Sequence, residues 1–338
     1  MSNGDEDYDE VDRDREHFVK TLCSFRFFGL HLMKKIESKK AYFESLPNSQ
    51  RKLLGDFCGV LQRVESCVAH NNALIKTMIE HSAPDIFNGD HVICLNERDA
   101  CYGPVIRDIC RIYNPSKCDP REVRILVPGA GLGRLAWELA HRGYACQGNE
   151  WSLHMLIPAY FILNNCKETN EHKLYPWVSQ FCNNMSREDQ LAPVSFPDVS
   201  PADISPDVPF SMAAGDFVDI YTDPDCWDCV ATVFFIDTAH NILNYLETIW
   251  KILKPGGHWI NFGPLLYHFS DIPGEESLEL TFDELQLAIR RIGFEILKEE
   301  KNIRCTYTQN PASMLSYDYS CVYGIYKKPA DIGNISKK

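Results

Sequence analysis

The sequence predicts an α/β fold built on an open, doubly wound sheet. Two stretches support this prediction. Residues 123–140 combine a short apolar strand, a glycine-rich turn and a helix with apolar positions at helical spacing. Residues 227–237 form a nearly continuous apolar run, which is typical of a strand covered on both faces. The remaining elements are placed around these two.

Charge and composition bound the class of protein. The chain has 338 residues, 45% of them hydrophobic, enough for one large domain with an elaboration or for two small domains. The net charge is −13, and residues 1–16 hold eight acidic and two basic side chains. A protein that binds a nucleic acid backbone is expected to carry the opposite sign, and no basic run occurs. We therefore predict no nucleic acid partner.

The fourteen cysteines are scattered, apart from Cys226 and Cys229, which form a C-x-x-C motif. Because no second pair and no signal-like N-terminus accompany them, we predict free thiols and no metal, with a zinc or redox role for the pair as the alternative.

No apolar run is long enough to span a membrane, so no membrane partner is expected. The sequence predicts a cytoplasmic protein, of a size compatible with entry into the nucleus.

Helical periodicity over residues 17–44 and 50–80 predicts a helical extension ahead of the core. A cap over the active site and self-association as a homodimer are both compatible with such an extension. The predicted organisation is a disordered acidic tail at 1–14, the extension at 15–100, the core at 101–329 and a tail at 330–338.

The turn between the first strand and its helix contains Gly129, Gly131 and Gly133. Glycines let the backbone approach a ligand closely, and the helix N-terminus offers unpaired N–H groups, so the turn suits a nucleotide-like ligand. The spacing is G-x-G-x-G rather than the dinucleotide fingerprint G-x-G-x-x-G. This spacing is more usual in S-adenosylmethionine (SAM) methyltransferases and disfavours a dehydrogenase.

Acidic residues follow the next two predicted strands. Glu150 lies 17 residues beyond Gly133, where doubly wound nucleotide sites place an acid that accepts hydrogen bonds from the ribose hydroxyls. Asp216 and Phe217 end the third strand, where an aspartate can bind the adenine amine and an aromatic ring can cover the base. The alternative for this pair is a helix N-cap followed by a core phenylalanine.

Residues 164–210 form a long stretch that is rich in Asn, Pro, Ser and Asp. Loops of this length within a compact domain are usually functional or disordered. Its aromatic side chains favour a packed, lid-like insertion over a free linker.

Two further candidates, Asp237 and His268, follow the fourth and fifth predicted strands. Open α/β sheets bind ligands at the carboxyl ends of their strands, so both are candidate site residues. Between them, the Lys-Pro-Gly-Gly turn at 254–257 resembles the turn that follows the fourth strand in many SAM methyltransferases. With the glycine turn and the acids, it predicts a seven-stranded, Rossmann-like class I SAM methyltransferase fold.

Longer motifs resemble the carnosine N-methyltransferase (N2227-like) family, over roughly residues 16–329. The matching runs lie at residues 124–138, 143–152, 173–177, 234–241, 249–257 and 263–269. The resemblance implies methyl transfer from SAM to a small dipeptide substrate, carnosine (β-alanyl-L-histidine). The acceptor is the imidazole nitrogen nearer the backbone, and the product is anserine.

The resemblance also implies roles for individual residues. Asp237 of the Phe-Phe-Ile-Asp motif and His268 of the Leu-Leu-Tyr-His motif would contact the imidazole. Arg107 would contact the cofactor, although residues 108–111 depart from the family pattern; without the family, a solvated or ion-paired arginine is expected there. The resemblance assigns pocket roles to Tyr307, Tyr317 and Tyr319.

The spacing of Tyr317 and Tyr319, two apart on a predicted strand, puts them on one face, which is compatible with core or pocket. We expect Asp237 to orient the ring and His268 to accept its proton. A methyltransferase acting on peptide or protein histidine and an inactive SAM-binding interaction module are the open alternatives.

Overall fold

The computed structural model describes residues 3–82 and 95–330, and the tail at 331–338 lies outside them. Contacts between Cα atoms divide the chain into two compact units. The helical unit comprises residues 3–82, 152–201 and 309–316. The sheet unit comprises residues 95–151, 202–308 and 317–330.

The helices and strands are numbered in chain order. The α-helices are α1 (Asn3–Ser45), α2 (Asn48–Leu53), α3 (Phe57–Ser82), α4 (Leu95–Ile112), α5 (Arg134–His141), α6 (Leu153–Asn165), α7 (Arg187–Gln190), α8 (Phe217–Ile220), α9 (Ile242–Ile252) and α10 (Phe282–Ile292). The strands are β1 (Arg124–Pro128), β2 (Ala145–Glu150), β3 (His172–Leu174), β4 (Val194–Phe196), β5 (Phe210–Ala214), β6 (Trp227–Val233), β7 (Leu253–Gly263), β8 (Glu295–Cys305) and β9 (Tyr319–Lys327).

The sheet unit contains a seven-stranded sheet with the order β5-β2-β1-β6-β7-β9-β8. Strands β5, β2, β1, β6 and β7 are parallel, and β9 pairs antiparallel with both β7 and β8. The middle strands are buried on both faces, as a parallel sheet requires. The fold predicted from the sequence is thus confirmed, and the carboxyl ends of five parallel strands share one edge.

Some boundaries differ from the predictions. Strand β6 ends at Val233 because Phe234 adopts a positive φ of +51°, which turns the chain out of the strand. Strand β9 begins at Tyr319, so Tyr317 lies outside it and the expected shared face does not exist. Strand β7 starts at Leu253 and includes the turn at 254–257, since Leu253 already pairs with Trp227.

The N-terminal helices also depart from the predictions. Helix α1 begins at Asn3, so the segment 1–14 is helical from that residue instead of disordered. The single helix predicted over residues 50–80 is broken at Gly55, whose φ of +56° is left-handed.

The insertion packs on the N-terminal helices within the helical unit. Helix α1 packs on α3, and α3 packs on α6. Asn71 is 2% exposed, and its amide binds the main chain of Tyr175 twice: Nδ2 donates to the carbonyl at 2.8 Å, and Oδ1 accepts from the N–H at 2.9 Å. These bonds fix the insertion on α3 at Tyr175, in its first quarter; its role as a lid stays a prediction.

Among the described residues, no helix combines the length and apolar character needed to cross a bilayer. The cysteines in the same part of the chain carry free thiols. Cys229 of the C-x-x-C motif is fully buried in β6, whereas Cys226 is partly exposed before that strand. The two sulfurs therefore lie in different environments, as expected for core and surface thiols.

Candidate active site

The glycine turn after β1 has a left-handed backbone at each of its three glycines. The φ angles of Gly129, Gly131 and Gly133 are +64°, +57° and +82°. A Cβ atom on Gly129 would lie 2.4 Å from Cδ2 of Phe235, so that position excludes a side chain for steric as well as conformational reasons. The left-handed φ angle and the lack of space for a Cβ atom together explain why the motif begins with glycine, at Gly129.

Glu150 lies at the end of β2, directly beside this turn. Its Oε2 accepts a hydrogen bond from the N–H of Gly131 at 2.9 Å, and its Oε1 accepts one from the N–H of Trp151 at 3.0 Å. A carboxylate can accept about four hydrogen bonds, so Glu150 can hold the turn and still accept from ligand hydroxyls. The ribose role stays a prediction, and the structure adds a role in fixing the turn.

Asp216 and Phe217 begin helix α8 and have the geometry of the structural alternative. Asp216 is the N-cap, since its Oδ1 accepts from the N–H of Val218 at 2.8 Å. Phe217 is 2% exposed and packs edge-on against Phe235 with ring centroids 5.5 Å apart. The phenylalanine is a core residue, and an adenine contact by this pair stays a prediction.

Asp237 lies in a 3₁₀ helix, Ile236–Thr238, just beyond the end of β6. It is 2% exposed, and its Oδ2 accepts from the N–H of Leu266 at 2.8 Å. Burial raises the pKa of Asp237 above its usual value, while the Leu266 N–H and the nearby His268 act in the opposite direction. A buried carboxylate with spare acceptor capacity is suited to binding an N–H group or a developing positive charge.

His268 lies in the loop after β7, and the N–H of His268 donates to the carbonyl of Asp237 at 3.0 Å. This main-chain bond holds the two residues together, as their positions after neighbouring strands predict. The His268 side chain is exposed, whereas Asp237 is buried. The buried Asp237 carboxylate can therefore bind an N–H group of a ligand ring, and the exposed His268 side chain can exchange protons with water.

The Tyr307 ring stacks on Phe234, with centroids 4.2 Å apart and an interplanar angle of 8°. Burial, then the nearby Cys101 and the carboxylates of Glu150 and Asp237, raise the pKa of Tyr307 to about 12. The Tyr307 hydroxyl thus lies within electrostatic range of both acids.

Backbone strain is concentrated in these loops. Phe234, Tyr267 and Thr308 are non-glycine residues with φ of +51°, +50° and +49°. Each neighbours a candidate: Phe234 stacks on Tyr307, Tyr267 precedes His268, and Thr308 follows Tyr307. Bulky residues rarely adopt this conformation, and such strain is found mainly at functional sites.

The three remaining predicted site residues, Tyr319, Tyr317 and Arg107, differ in their surroundings. Tyr319 is partly buried and packs edge-on against Phe234 at 5.7 Å, so it belongs to the Tyr307 cluster. Tyr317 is 62% exposed and precedes β9. Arg107 on α4 is exposed, with its guanidinium beside Gly103, and its contact with the cofactor stays a prediction.

Sequence reasoning missed Phe234, Phe235 and Tyr245 as parts of the site. Phe235 stacks on Tyr245 with centroids 4.7 Å apart, and Asp216 and Glu150 are close enough to affect the Tyr245 hydroxyl, whose pKa burial raises to about 12. The signal was present in the two aromatic residues at the carboxyl end of the fourth strand. Local pattern places them within the strand, because strands covered on both faces are uniformly apolar.

The residues at this edge fit a SAM-like ligand. The turn offers close backbone approach, Glu150 offers a carboxylate beside it, and Phe235, which stacks on Tyr245, packs against Gly129. Ligands of open α/β sheets bind at this edge.

Comparisons with known proteins identify the family of this chain. A family model described as carnosine N-methyltransferase matches residues 80–330. The carnosine N-methyltransferase of Mus musculus is 43% identical, over 95% of this chain and 88% of the mouse protein. That of Schizosaccharomyces pombe is 33% identical, over 94% of this chain and 97% of the yeast protein.

A solved SAM-dependent methyltransferase from Methanosarcina mazei matches with a TM-score of 0.41 and 13% identity, over 62% of this chain and 94% of that chain. This structural match is too weak to support a family assignment. The assignment depends on the family model and on the sequence identities to the mouse and yeast proteins, which extend over nearly the whole chain. This chain belongs to the carnosine N-methyltransferase family.

Proposed function

We propose that this chain transfers a methyl group from SAM to the pros nitrogen of the carnosine imidazole, giving anserine and S-adenosylhomocysteine. Family membership supports the reaction. The observation that carries the assignment of the site is the buried Asp237 carboxylate, linked through the main chain to His268 at the ligand-binding edge of the sheet.

The acceptor nitrogen needs a free lone pair, so the imidazole must be neutral and its other nitrogen must carry the proton. The Asp237 carboxylate accepts that N–H and thereby selects the tautomer whose pros nitrogen is free. As the ring becomes cationic, the same carboxylate stabilises the charge, an effect strengthened by burial.

The ring must then lose the proton from its other nitrogen. His268 accepts this proton, directly or through water, and its exposed side chain returns it to the solvent. General base catalysis of this kind typically contributes about 10²- to 10⁴-fold, and alignment of the reactants contributes more.

When bound, SAM supplies an electrophilic methyl group on a sulfonium. Gly129, Gly131 and Gly133 hold the ligand through the main chain, and Glu150 binds the ribose hydroxyls. Asp216 and Phe217 border the adenine, and Arg107 binds the carboxylate. No metal is needed for this transfer, because a sulfonium methyl group is already activated for displacement.

Tyr307 and Tyr319 form one wall of the dipeptide pocket, supported by their contacts with Phe234. The exposed Tyr317 contacts the end of the dipeptide that projects to the surface. These aromatic side chains combine apolar contact area with a hydroxyl that can bind the peptide ends.

The direct test is transfer of a labelled methyl group from SAM to carnosine by the purified full chain, with mass fragmentation to locate the methyl group. Methylation at the pros nitrogen supports the proposal. Absence of transfer, with SAM binding intact, would redirect the search to histidine in peptides and proteins. Absence of transfer to any of these acceptors would favour a SAM-binding interaction module.

The role of His268 is tested separately with His268→Gln, and the matched control is His141→Gln, which alters an exposed histidine at the far end of α5 from the glycine turn. We expect His268→Gln to lower kcat by about 10²- to 10⁴-fold, with unchanged SAM affinity. Turnover close to wild type would remove His268 from the mechanism.

Two further expectations belong to this proposal. A homodimer is tested by light scattering on the purified chain, and a cytoplasmic or nuclear location by imaging of the tagged chain.

A further inference from the structure

Three side chains able to bind a metal ion meet in the helical unit, outside the proposed active site. Among the described residues, Cys166 Sγ, a carboxylate oxygen of Glu171 and a ring nitrogen of His172 all lie within 4.8 Å of one another. We propose that they form a binding site for a borderline divalent transition metal, with Zn²⁺ as the preferred ion.

The spacing of the ligand atoms is close to that of a zinc site. Zinc bonds are about 2.3 Å to sulfur and about 2.0–2.2 Å to nitrogen or oxygen, so ligand atoms in a tetrahedral site lie about 3.3–3.6 Å apart. Glu171 Oε1 and His172 Nε2 are 4.0 Å apart. Movements of about 1 Å, available to these side chains, would bring the three atoms to zinc distances.

Hydrogen bonds from the main chain already hold the Glu171 carboxylate. Glu171 Oε2 accepts hydrogen bonds from the N–H groups of Lys167 and Glu168, at 2.8 and 3.3 Å. These bonds hold the Glu171 carboxylate in place through Oε2. Ligating carboxylates are commonly held in this way, and the arrangement leaves Oε1 on the side of His172.

The other two ligands are held by packing. Cys166 is 5% exposed and belongs to an apolar cluster that includes Phe25, Ile75 and Phe161. The His172 ring lies 5.1 Å from the Phe161 ring and 5.5 Å from the Phe196 ring. Both ligands are therefore oriented before a metal binds, which reduces the entropy lost on coordination.

The donor set favours zinc over harder ions. A thiolate, an imidazole and a carboxylate suit Zn²⁺, whereas Mg²⁺ and Ca²⁺ prefer oxygen ligands alone. A metal ion binds the thiolate form of cysteine, so binding at Cys166 releases the thiol proton to the solvent. With three protein ligands, a water molecule completes the tetrahedron.

The consequence for the fold is a cross-link between the end of α6 and the start of β3. Cys166 follows the last residue of α6, and His172 opens β3. A metal at this point would close the five residues 167–171 into a loop and fix the beginning of the insertion. Its contribution is to stability and does not depend on the proposed methyl transfer.

Titration of the full chain with Co²⁺ tests the site, because cobalt bound to a thiolate gives a characteristic charge-transfer absorption. The test variants are Cys166→Ser and His172→Gln. The matched control is Cys182→Ser, which removes an exposed free thiol of the same unit. We expect one equivalent of bound Co²⁺ in the wild type and the control, and displacement of the cobalt by Zn²⁺.

The charge-transfer band should be absent in Cys166→Ser, and Co²⁺ binding should be weaker by at least roughly tenfold in His172→Gln. Zn²⁺ should raise the Tm of the wild type and the control but not that of Cys166→Ser. A missing band in the wild type, or an equal band in Cys166→Ser, would overturn the proposal. If Cys166→Ser does not fold, unchanged affinity in His172→Gln would overturn it as well.

Discussion

Gly129→Ala gives a sharp test of the glycine turn, because two separate penalties can be assigned to it. The left-handed backbone, with φ of +64°, costs a non-glycine residue roughly 1–2 kcal/mol. The new Cβ would lie 2.4 Å from Phe235 Cδ2, about 1 Å closer than a favourable carbon contact. Overpacking of this kind typically costs about 1–3 kcal/mol, so the total is about 2–5 kcal/mol.

The Phe235 ring cannot move away without further loss. It is 7% exposed and stacks on Tyr245, with centroids 4.7 Å apart and an interplanar angle of 11°. Its edge-on contact with Phe217 would also be disturbed. A shift of the ring therefore displaces the aromatic cluster beneath the proposed SAM site, and we expect weaker SAM binding in addition to lower stability.

The matched control is Gly256→Ala. Gly256 has φ of +85°, but a Cβ atom there would have nothing within 4 Å, so it carries the backbone penalty alone. Urea denaturation should show Gly129→Ala less stable than Gly256→Ala by about 1–3 kcal/mol, and calorimetry should show weaker SAM binding only in Gly129→Ala. Equal free energies of unfolding for the two variants would refute the packing argument.

Three further predictions follow from burial and hydrogen bonding. Burial holds the pKa of Asp237 above its usual value, so ionisation of this carboxyl opposes folding above that raised pKa, and the cost disappears as the pH falls below about 3.9. Asp237→Asn should therefore have a higher Tm than wild type at pH 7, by a margin that shrinks towards pH 4, and little transferase activity; a lower Tm at pH 7 would contradict the argument. Asn71→Ala leaves two main-chain groups without partners and should lower the free energy of unfolding by about 2–4 kcal/mol, against little change for the exposed Asn164→Ala. Tyr307→Phe keeps the stack on Phe234 and should raise the KM for carnosine with a loss of stability of about 1 kcal/mol, whereas Tyr307→Ala should lose about 3–5 kcal/mol; equal stabilities of these two variants would show that the stack contributes nothing.

The sequence could predict the parts of the site that depend on local pattern. The turn at Gly129 is encoded by an apolar strand, closely spaced glycines and a helix that are consecutive in the chain. Asp237 and His268 each follow a strand, and parallel strands bring their carboxyl ends to one edge, so their proximity could be expected. The family resemblance added Tyr307, for which composition and spacing gave no signal.

Other features depended on where strands begin and end. Local pattern placed Tyr317 within the last strand, but cross-strand pairing begins at Tyr319. Local pattern puts Asp237 at the end of a strand, but it lies in a 3₁₀ helix because Phe234 turns the chain first. Periodicity identifies an element, while its limits are set by the hydrogen bonds available from neighbouring strands.

The sequence by itself determined the class of fold, the turn and the family, since these are written in runs of consecutive residues. Only the tertiary structure decided that Asp237 is held by Leu266, that Tyr307 stacks on Phe234, and that Cys166 and His172 meet beside Glu171. The contacts of Asp237 and Tyr307 join residues separated by 29 or more positions, and their geometry follows from the path of the whole chain. The cluster at Cys166 is local in sequence, but Cys166 and His172 are oriented by packing: Cys166 in an apolar cluster with residues of α3 and α6, and His172 against Phe161 and Phe196.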